Sequence, residues 1–520
     1  MIEVEVHYSL HNFLRSQAEA AWPHHLTMAR LVARGLRLGR SALIQVGAGC
    51  GYQGRYRLSY LAPALLWQEA VVLVATEEVQ QRLLRVEIPP LQQWLETKKG
   101  IVTGDRLPAD FRGLLLTSPA AWLAAQWQGK DDFPPGIPTL IDQVDDLEDW
   151  TRTQLTVSIH PGDWDELMLS CPDQAEAIRS ARVQLTKAVF QHPANPYECY
   201  LISQPEQEIL NSLQQRLEVR GKRYEEEASR QPSVSNLLYS HLPHAWSKFW
   251  QRWQMKNQLR WMTITRFQGT FSLYCAPADV ASALAPIWSR QPVVLIGSAL
   301  DPETEAPIYR QQMGLPDLTC LKFAGDRHSE LIQLYLPDRF PLPNTPQFQA
   351  ALMQQLHSLI SLKATVPGLT VVLVGDMPLK SQVGTTLAAE FGSRVQVEKT
   401  CLDENGILVS GWEFWRQHQD KLPAPALIAI PTLPLPSLEN PLVAGRVDYY
   451  KSLGKDWFRL YLLPAALNEL QRAIAPVRSR QGVVALLDSR VIHRSYGKQV
   501  LAALSPLARS NYLDSSLFAQ

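Results

Sequence analysis

Short, continuous apolar runs alternate with stretches of helical period toward both ends of this 520-residue chain, and that alternation constrains the fold more than any other feature. Ser41–Gly47, Ala70–Thr76, Gly113–Thr117 and Pro138–Asp142 are β-rich and apolar throughout, with helical spacing between them at Leu58–Trp67 and Glu77–Leu84. A strand that is apolar on both faces needs cover on both, which a parallel sheet flanked by helices supplies. The pattern resumes from Pro292. Pro292–Gly297, Leu369–Val374, Arg394–Val397, Leu427–Ile430 and Val483–Asp488 read as strands there. Thr345–Leu362, Ser381–Phe391, Ala465–Ala475 and Tyr496–Leu504 read as helices.

Between these ends the pattern changes. Asp173–Phe190, Glu206–Arg230 and Trp246–Leu259 are long and helical, and a hairpin is expected from Trp261–Phe267 and Thr270–Cys275 around Gln268-Gly269. The expected fold class is α/β, with two parallel-sheet domains and a mainly helical insertion. Residues 1–150 form the first domain, 151–288 the insertion and 289–520 the second domain, in keeping with about 150 residues per domain.

Composition removes several classes. Fifty basic and fifty acidic residues in a 46% hydrophobic chain do not describe a self-repelling disordered protein. The six cysteines are scattered singly without a C-x-x-C pair, so neither zinc nor a redox disulfide is expected, and reduced thiols fit a cytoplasmic protein. The acidic start Met1-Ile2-Glu3-Val4-Glu5 is unlike a secretory leader. The apolar stretches Ala62–Ala75 and Gly113–Ala125 are interrupted by polar residues and Pro119, so no membrane span is expected.

The first strand runs into Gly47-Ala48-Gly49-Cys50-Gly51-Tyr52-Gln53-Gly54-Arg55-Tyr56. Glycines at a strand-to-helix turn let backbone N–H groups converge on a phosphate. Gly49, Gly51 and Gly54 fit the G-x-G-x-x-G dinucleotide string, with Glu77 placed to accept a ribose hydroxyl. Gly49 to Tyr56 also fits the Walker string G-x-x-x-x-G-K-[ST], with Arg55 for the lysine and Tyr56 for the Mg²⁺-binding hydroxyl. A glycine turn that binds nothing accounts for the same residues. Asp142, closing a later strand, stands where nucleotide hydrolysis needs a Mg²⁺-holding carboxylate; on local evidence a helix N-terminus with Asp145 and Asp146 in its first turn is the better account.

The order of these pieces resembles the DinG/XPD-type DNA helicases of helicase superfamily two, which have two RecA-like domains and an arch insertion. Tyr60-Leu61-Ala62-Pro63-Ala64-Leu65 is similar to the helix after the family's phosphate loop. Asp142 to Asp149 is similar to its D-E-A-H-N-L-E-D motif, and Gly297-Ser298-Ala299-Leu300 to T-S-A-T-L, expected to open the second domain. Leu433 to Pro441 resembles a later proline-rich motif. Leu463-Pro464-Ala465, Gln471, Arg478, Val484–Asp488, Arg490 and Tyr496-Gly497 resemble the family's final helicase motif with the strand and helix after it. The resemblance implies ATP and Mg²⁺ as cofactors. It places Gly49, Gly51, Gly54, Arg55 and Gln471 on the nucleotide, Asp142 on Mg²⁺, and Gln143 and Arg478 in catalysis. His25 falls where the family reads adenine with a glutamine. No cysteine lies between Gly51 and Ile141, so the iron–sulfur cluster of many members is not expected.

The departures cut into the chemistry. Gln143 replaces the catalytic glutamate and can orient water without taking its proton, a loss of ~10²–10⁴-fold. Ala475 replaces one of two arginines on the γ-phosphate, and removing such a finger costs ~10³–10⁵-fold. Nucleic-acid binding needs none of these groups. Ala228 to Ala278 holds no acid but carries Arg230, Lys248, Arg252, Lys256, Arg260 and Arg266. Lys248, Arg252 and Lys256 recur every fourth residue beside Trp246, Phe249, Trp250 and Trp253, a pattern suited to single-stranded or unwound DNA. An amphipathic helix with its tryptophans in the core reads the same way. A second basic group, Arg472, Arg478, Arg480, Arg490, Arg494 and Lys498, is accompanied only by Asp488, which is expected to anchor Arg490 or a loop. The expected function is a DinG/XPD-like protein acting on DNA with impaired ATP-dependent unwinding. The alternatives are a non-catalytic DNA-binding scaffold, with protein partners, and a dinucleotide enzyme.

Overall fold

The computed structural model describes residues 2–17, 22–129, 132–228, 242–325, 329–364 and 366–518. Two compact units make up the chain. One comprises Met1–Glu148, Ala281–Leu435 and Leu462–Gln520; the other comprises Asp149–Val280 and Pro436–Tyr461.

The first unit opens with β1 (Ala42–Gln45), β2 (Val71–Val74), β3 (Ile101–Thr103), β4 (Leu114–Thr117) and β5 (Thr139–Asp142). The second unit contributes β6 (Val157–Ile159), β7 (Cys199–Leu201), β8 (Gln258–Thr265) and β9 (Thr270–Pro277). The chain then returns with β10 (Val293–Gly297) and β11 (Thr319–Lys322), which complete a parallel sheet in the order β11-β1-β10-β5-β2-β4-β3. The boundary expected at 289 is therefore corrected. β10 sits between β1 and β5, so residues 293–322 belong to the first sheet. An apolar strand carries no mark of which sheet it will join.

The second sheet is also parallel. Its strands are β12 (Ile332–Tyr335), β13 (Leu369–Leu373), β14 (Val395–Val397), β15 (Ile407–Ser410), β16 (Pro425–Ile430), β17 (Val483–Leu486) and β18 (Leu507–Ser510), in the order β14-β15-β13-β16-β17-β12-β18. These are the two RecA-like sheets the sequence leads one to expect. In the second sheet β12, β13, β15, β16 and β17 are buried along almost their whole length, as β1, β2, β4, β5 and β10 are in the first; the edge strands β14 and β18 are not. Helix Leu58–Leu66 is apolar all round and is enclosed in the core of the first sheet with Tyr60, Leu61, Ala62, Ala64 and Leu65.

In the second unit the expected hairpin is β8–β9, paired Trp261↔Tyr274 and Thr263↔Ser272. It forms the centre of an antiparallel sheet in the order β6-β9-β8-β7. Helix His244–Trp253 ends earlier than its sequence spacing suggests. It buries Trp246, Phe249, Trp250 and Trp253 at the i, i+3, i+4 and i+7 positions of one stripe. Arg230 lies outside the described residues. Segment 436–461, sequence-distant from the insertion, belongs to this unit as well.

Candidate nucleotide cleft

After β1 the chain turns at Gly47 (φ 82°), forms the short helix Ala48–Gly51, and reverses through Gln53 (φ 59°) and Gly54 (φ 69°). The expected glycine turn is therefore present, and its glycines are needed for close approach. The groups approaching them belong to this chain. A methyl group on Gly49 would lie 2.7 Å from the Glu330 carboxylate, one on Gly51 would lie 2.5 Å from Cβ of Ser298, and one on Gly54 would overlap the Arg57 guanidinium.

Asp142, at the end of β5, is wholly buried. Its carboxylate accepts from the hydroxyl of Tyr56, from Tyr60 Oη at 3.0 Å, from Arg57 Nε at 3.2 Å and from the Gln143 amide at 3.1 Å. Tyr56, Arg57 and Tyr60 are themselves buried. Burial, then the negative charge of Asp142, pushes both phenols well above the ordinary tyrosine range. Burial opposes the charge on Arg57, but Asp142 and the surrounding oxygens outweigh it and raise its pKa. Gln143 adopts a left-handed conformation, φ 57° and ψ 43°, and starts the turn Val144–Asp146.

The next two acids reach elsewhere. Asp145 accepts from Ser298 N at 2.8 Å, Ser298 Oγ at 2.9 Å and Ala299 N at 2.7 Å, tying the ends of β5 and β10 together. Asp146 takes both arms of Arg472 at 2.6 and 3.1 Å, and Asn468 donates to the Ala299 carbonyl at 2.9 Å. Arg472 and Asn468 lie on helix Leu463–Arg478, whose sheet is the second, so the two lobes are joined by this chain's own side chains. A cavity of about 520 Å³ remains between Gly47–Gly49 on one lobe and Gln471, Arg478 and Ser505–Leu507 on the other, with Lys322, Phe323 and Glu330 in its wall.

No protein-family model matches the chain. The ATP-dependent DNA helicase YoaA of Haemophilus influenzae is 28% identical over 139 residues, 26% of this chain and 22% of that protein. YoaA of Escherichia coli is 29% identical over 109 residues, 20% of this chain and 17% of that protein. The matched stretches thus span less than a quarter of these curated relatives. A solved XPD helicase superposes over 95% of this chain and all of its own, with a TM-score of 0.58 at 11% identity. Xpd4 of S. tokodaii covers 94% of this chain at 0.55 and 13%. The chain shares the fold of the XPD helicases.

The dinucleotide reading places the second strand beside the first. In this DinG/XPD-type sheet β1 has β10 and β11 as neighbours, and β2, which leads to Glu77, is separated from β1 by β10 and β5. That geometry removes Glu77 from the glycine turn's ribose position.

ATP and Mg²⁺, which the DinG/XPD-type fold implies, do not fit the residues present. A metal-holding aspartate needs free lone pairs, and those of Asp142 are taken by two phenols, a guanidinium and an amide. Tyr56, where the family has a small hydroxyl, fills the space beside the carboxylate. A phosphate at Gly49 would meet the Glu330 carboxylate. Arg55 is exposed and makes no hydrogen bond or ion pair among the described residues. Arg478 lines the cavity but is spent on the fold. Its guanidinium donates to Glu330 O at 2.9 Å, Leu504 O at 2.5 Å, Ser505 O at 3.2 Å and Pro506 O at 3.2 Å. Gln471 is half-buried at the cavity wall, with its amide on the Leu467 carbonyl at 3.3 Å.

His25 also departs from the family role. It is buried, shares a 2.8 Å hydrogen bond with Ser59 Oγ, and its pKa is lowered by burial to about 4. Because the unfolded chain binds this proton first, the stability tied to neutral His25 is present above pH ~6.5 and lost as pH falls toward ~4, to the extent of about 3 kcal/mol. Thermal unfolding between pH 7 and 4 is expected to show that decline, and His25→Gln to flatten it.

The proposed nucleic-acid residues separate. Lys248 is exposed on helix His244–Trp253, and Lys256 is exposed beyond its end, so the four-residue repeat does not form one helix face. Arg252 is half-buried against Met255. Arg260 packs its guanidinium over the Trp253 ring at 4.4 Å and donates to the Trp253 carbonyl at 2.6 Å, an internal role. The four aromatics are core residues and offer no stacking platform. In the second basic group Arg480 caps Ala424 and Pro367 carbonyls, and Asp488 holds Arg490 and the Leu433 amide. Among the described residues no helix is long and apolar enough to cross a membrane, and no three His, Cys, Asp or Glu side chains gather as a metal cage.

Proposed function

We propose that this chain is a helicase-fold protein that engages single-stranded or unwound DNA and does not turn over ATP. The observation that carries the second half is the closed Tyr56–Asp142–Tyr60–Arg57 cluster, which leaves the hydrolytic aspartate no capacity for a metal. Support for DNA as the partner comes from the likeness to proteins named as DNA helicases, with Lys248 and Lys256 as exposed candidates for phosphate contact. The Arg472–Asp146 bridge supports a lobe arrangement kept by protein contacts instead of by nucleotide.

Titration of a labelled single-stranded oligonucleotide at two salt concentrations tests this reading. Binding is expected to weaken with salt and to be unchanged by Mg-ATP. Absence of binding, or tight binding only with Mg-ATP, contradicts it. The lobe bridge has its own test. A double-mutant cycle on Arg472→Ala and Asp146→Ala is expected to give about 1–2 kcal/mol of coupling in urea unfolding, because the pair is bidentate and partly buried.

A further inference from the structure

Helices Ile2–Ser16 and His25–Leu38 pack side by side, and a groove of about 730 Å³ lies along them and reaches Leu321 of β11. Its lining includes the apolar side chains of Val4, Leu31 and Leu321, and Val4 is 65% exposed. Arginines stand over it. Arg30, Arg34 and Arg37 occupy i, i+4 and i+7 on one face of helix His25–Leu38. Arg37 is used within the fold, holding Glu3 at 2.7 Å and so pinning the two helices. Arg30 and Arg34 are exposed and make no ion pair or hydrogen bond among the described residues. Like charges four residues apart on a helix repel, so the pair gains nothing from the isolated fold. Among the described residues β11 is the outermost strand of its sheet, paired only with β1.

We propose that this groove receives an extended acidic segment of a partner protein, its carboxylates on Arg30 and Arg34 and its apolar side chains on Leu31 and Leu321. Three features converge on that occupant. Guanidinium forks match carboxylates in paired hydrogen bonds. An unpaired strand edge accepts an extended chain, whose alternate side chains face opposite ways. The apolar lining rewards a peptide side chain and offers nothing to a phosphodiester backbone. The site is independent of the cleft and of the DNA reading.

The test uses the full chain and a fluorescein-labelled peptide of about eight residues alternating Glu and Val, a strand-length probe. Anisotropy at low salt is expected to show saturable binding that Arg30→Glu with Arg34→Glu weakens about tenfold or more. An alternating Gln and Val peptide is expected not to bind. Both arginines are exposed, so an unchanged melting temperature in the variant certifies its fold. No saturable binding, or binding that the double variant leaves intact, overturns the proposal. So does an oligothymidylate that displaces the peptide and loses its own binding in the same variant, since the arginines would then serve phosphates.

Discussion

Asp142→Ala is expected to lower the melting temperature by about 5 °C, following a loss of about 3–5 kcal/mol. The reason lies in what the substitution strands. Arg57 would remain buried with Glu87, 3.4 Å away, as its paired carboxylate, and two phenols would lose their acceptor in a site closed to water. In a nucleotide hydrolase the same aspartate waits for a metal, and its removal silences activity while leaving the fold intact. Under the proposed reading the order of effects is expected to reverse, with a large loss of stability and no ATP turnover to silence. Tyr56→Phe removes one donor and keeps the ring, so it is expected to cost about 1–2 kcal/mol by the same reasoning. Differential scanning calorimetry separates the two variants.

Arg478→Met is expected to have a comparable effect, about 3 kcal/mol or more. The side chain is 3% exposed and serves four carbonyls, from Glu330 and from Leu504, Ser505 and Pro506. Methionine keeps the volume and removes the guanidinium donor from all four, although the Ile332 amide still serves Pro506 O. Arg478→Lys keeps the charge, yet one ammonium cannot reproduce a fork that reaches two segments, so only partial recovery is expected. Chemical unfolding of the three proteins checks this ranking. An arginine that acted on a phosphate would show the opposite pattern, with lysine and methionine equally folded.

Much of the fold is legible in the sequence. Continuously apolar strands such as Ala42–Gln45, Val71–Val74 and Leu369–Leu373 announce themselves because both faces are buried. Several strands without a clear sequence mark lie at an edge. Ile101–Thr103 is three residues beside Lys98 and Lys99, and Leu507–Ser510 carries Arg509 because one side of it meets solvent. The helical period at Trp246 to Leu259 overruns the helix itself, since Lys256 and Gln258 continue a polar spacing that the turn before β8 interrupts.

The cleft is legible as a set of losses and not as a replacement. Tyr56 reads as a missing Mg²⁺ ligand, and Arg478 as a surviving finger. That the phenol crosses to Asp142, 86 residues on, is a tertiary fact. The available signal is the grouping of Tyr56, Arg57 and Tyr60 within about one helical turn after a glycine loop, ahead of the apolar run Leu61–Leu66. Three large polar-tipped side chains there need one buried acceptor, and the strand-end aspartate supplies it. Glu330, Ser298 and Arg57 filling the glycine turn have no signal in local spacing, because each comes from a different part of the chain or folds back upon it.

On the proposed reading, the chain's own side chains take the metal and phosphate positions where a helicase holds Mg-ATP. Phosphate release from Mg-ATP, with and without single-stranded DNA, tests it most directly. A rate at the no-enzyme baseline in both conditions is the predicted result; DNA-stimulated release that disappears in a folded Asp142→Asn variant would contradict it.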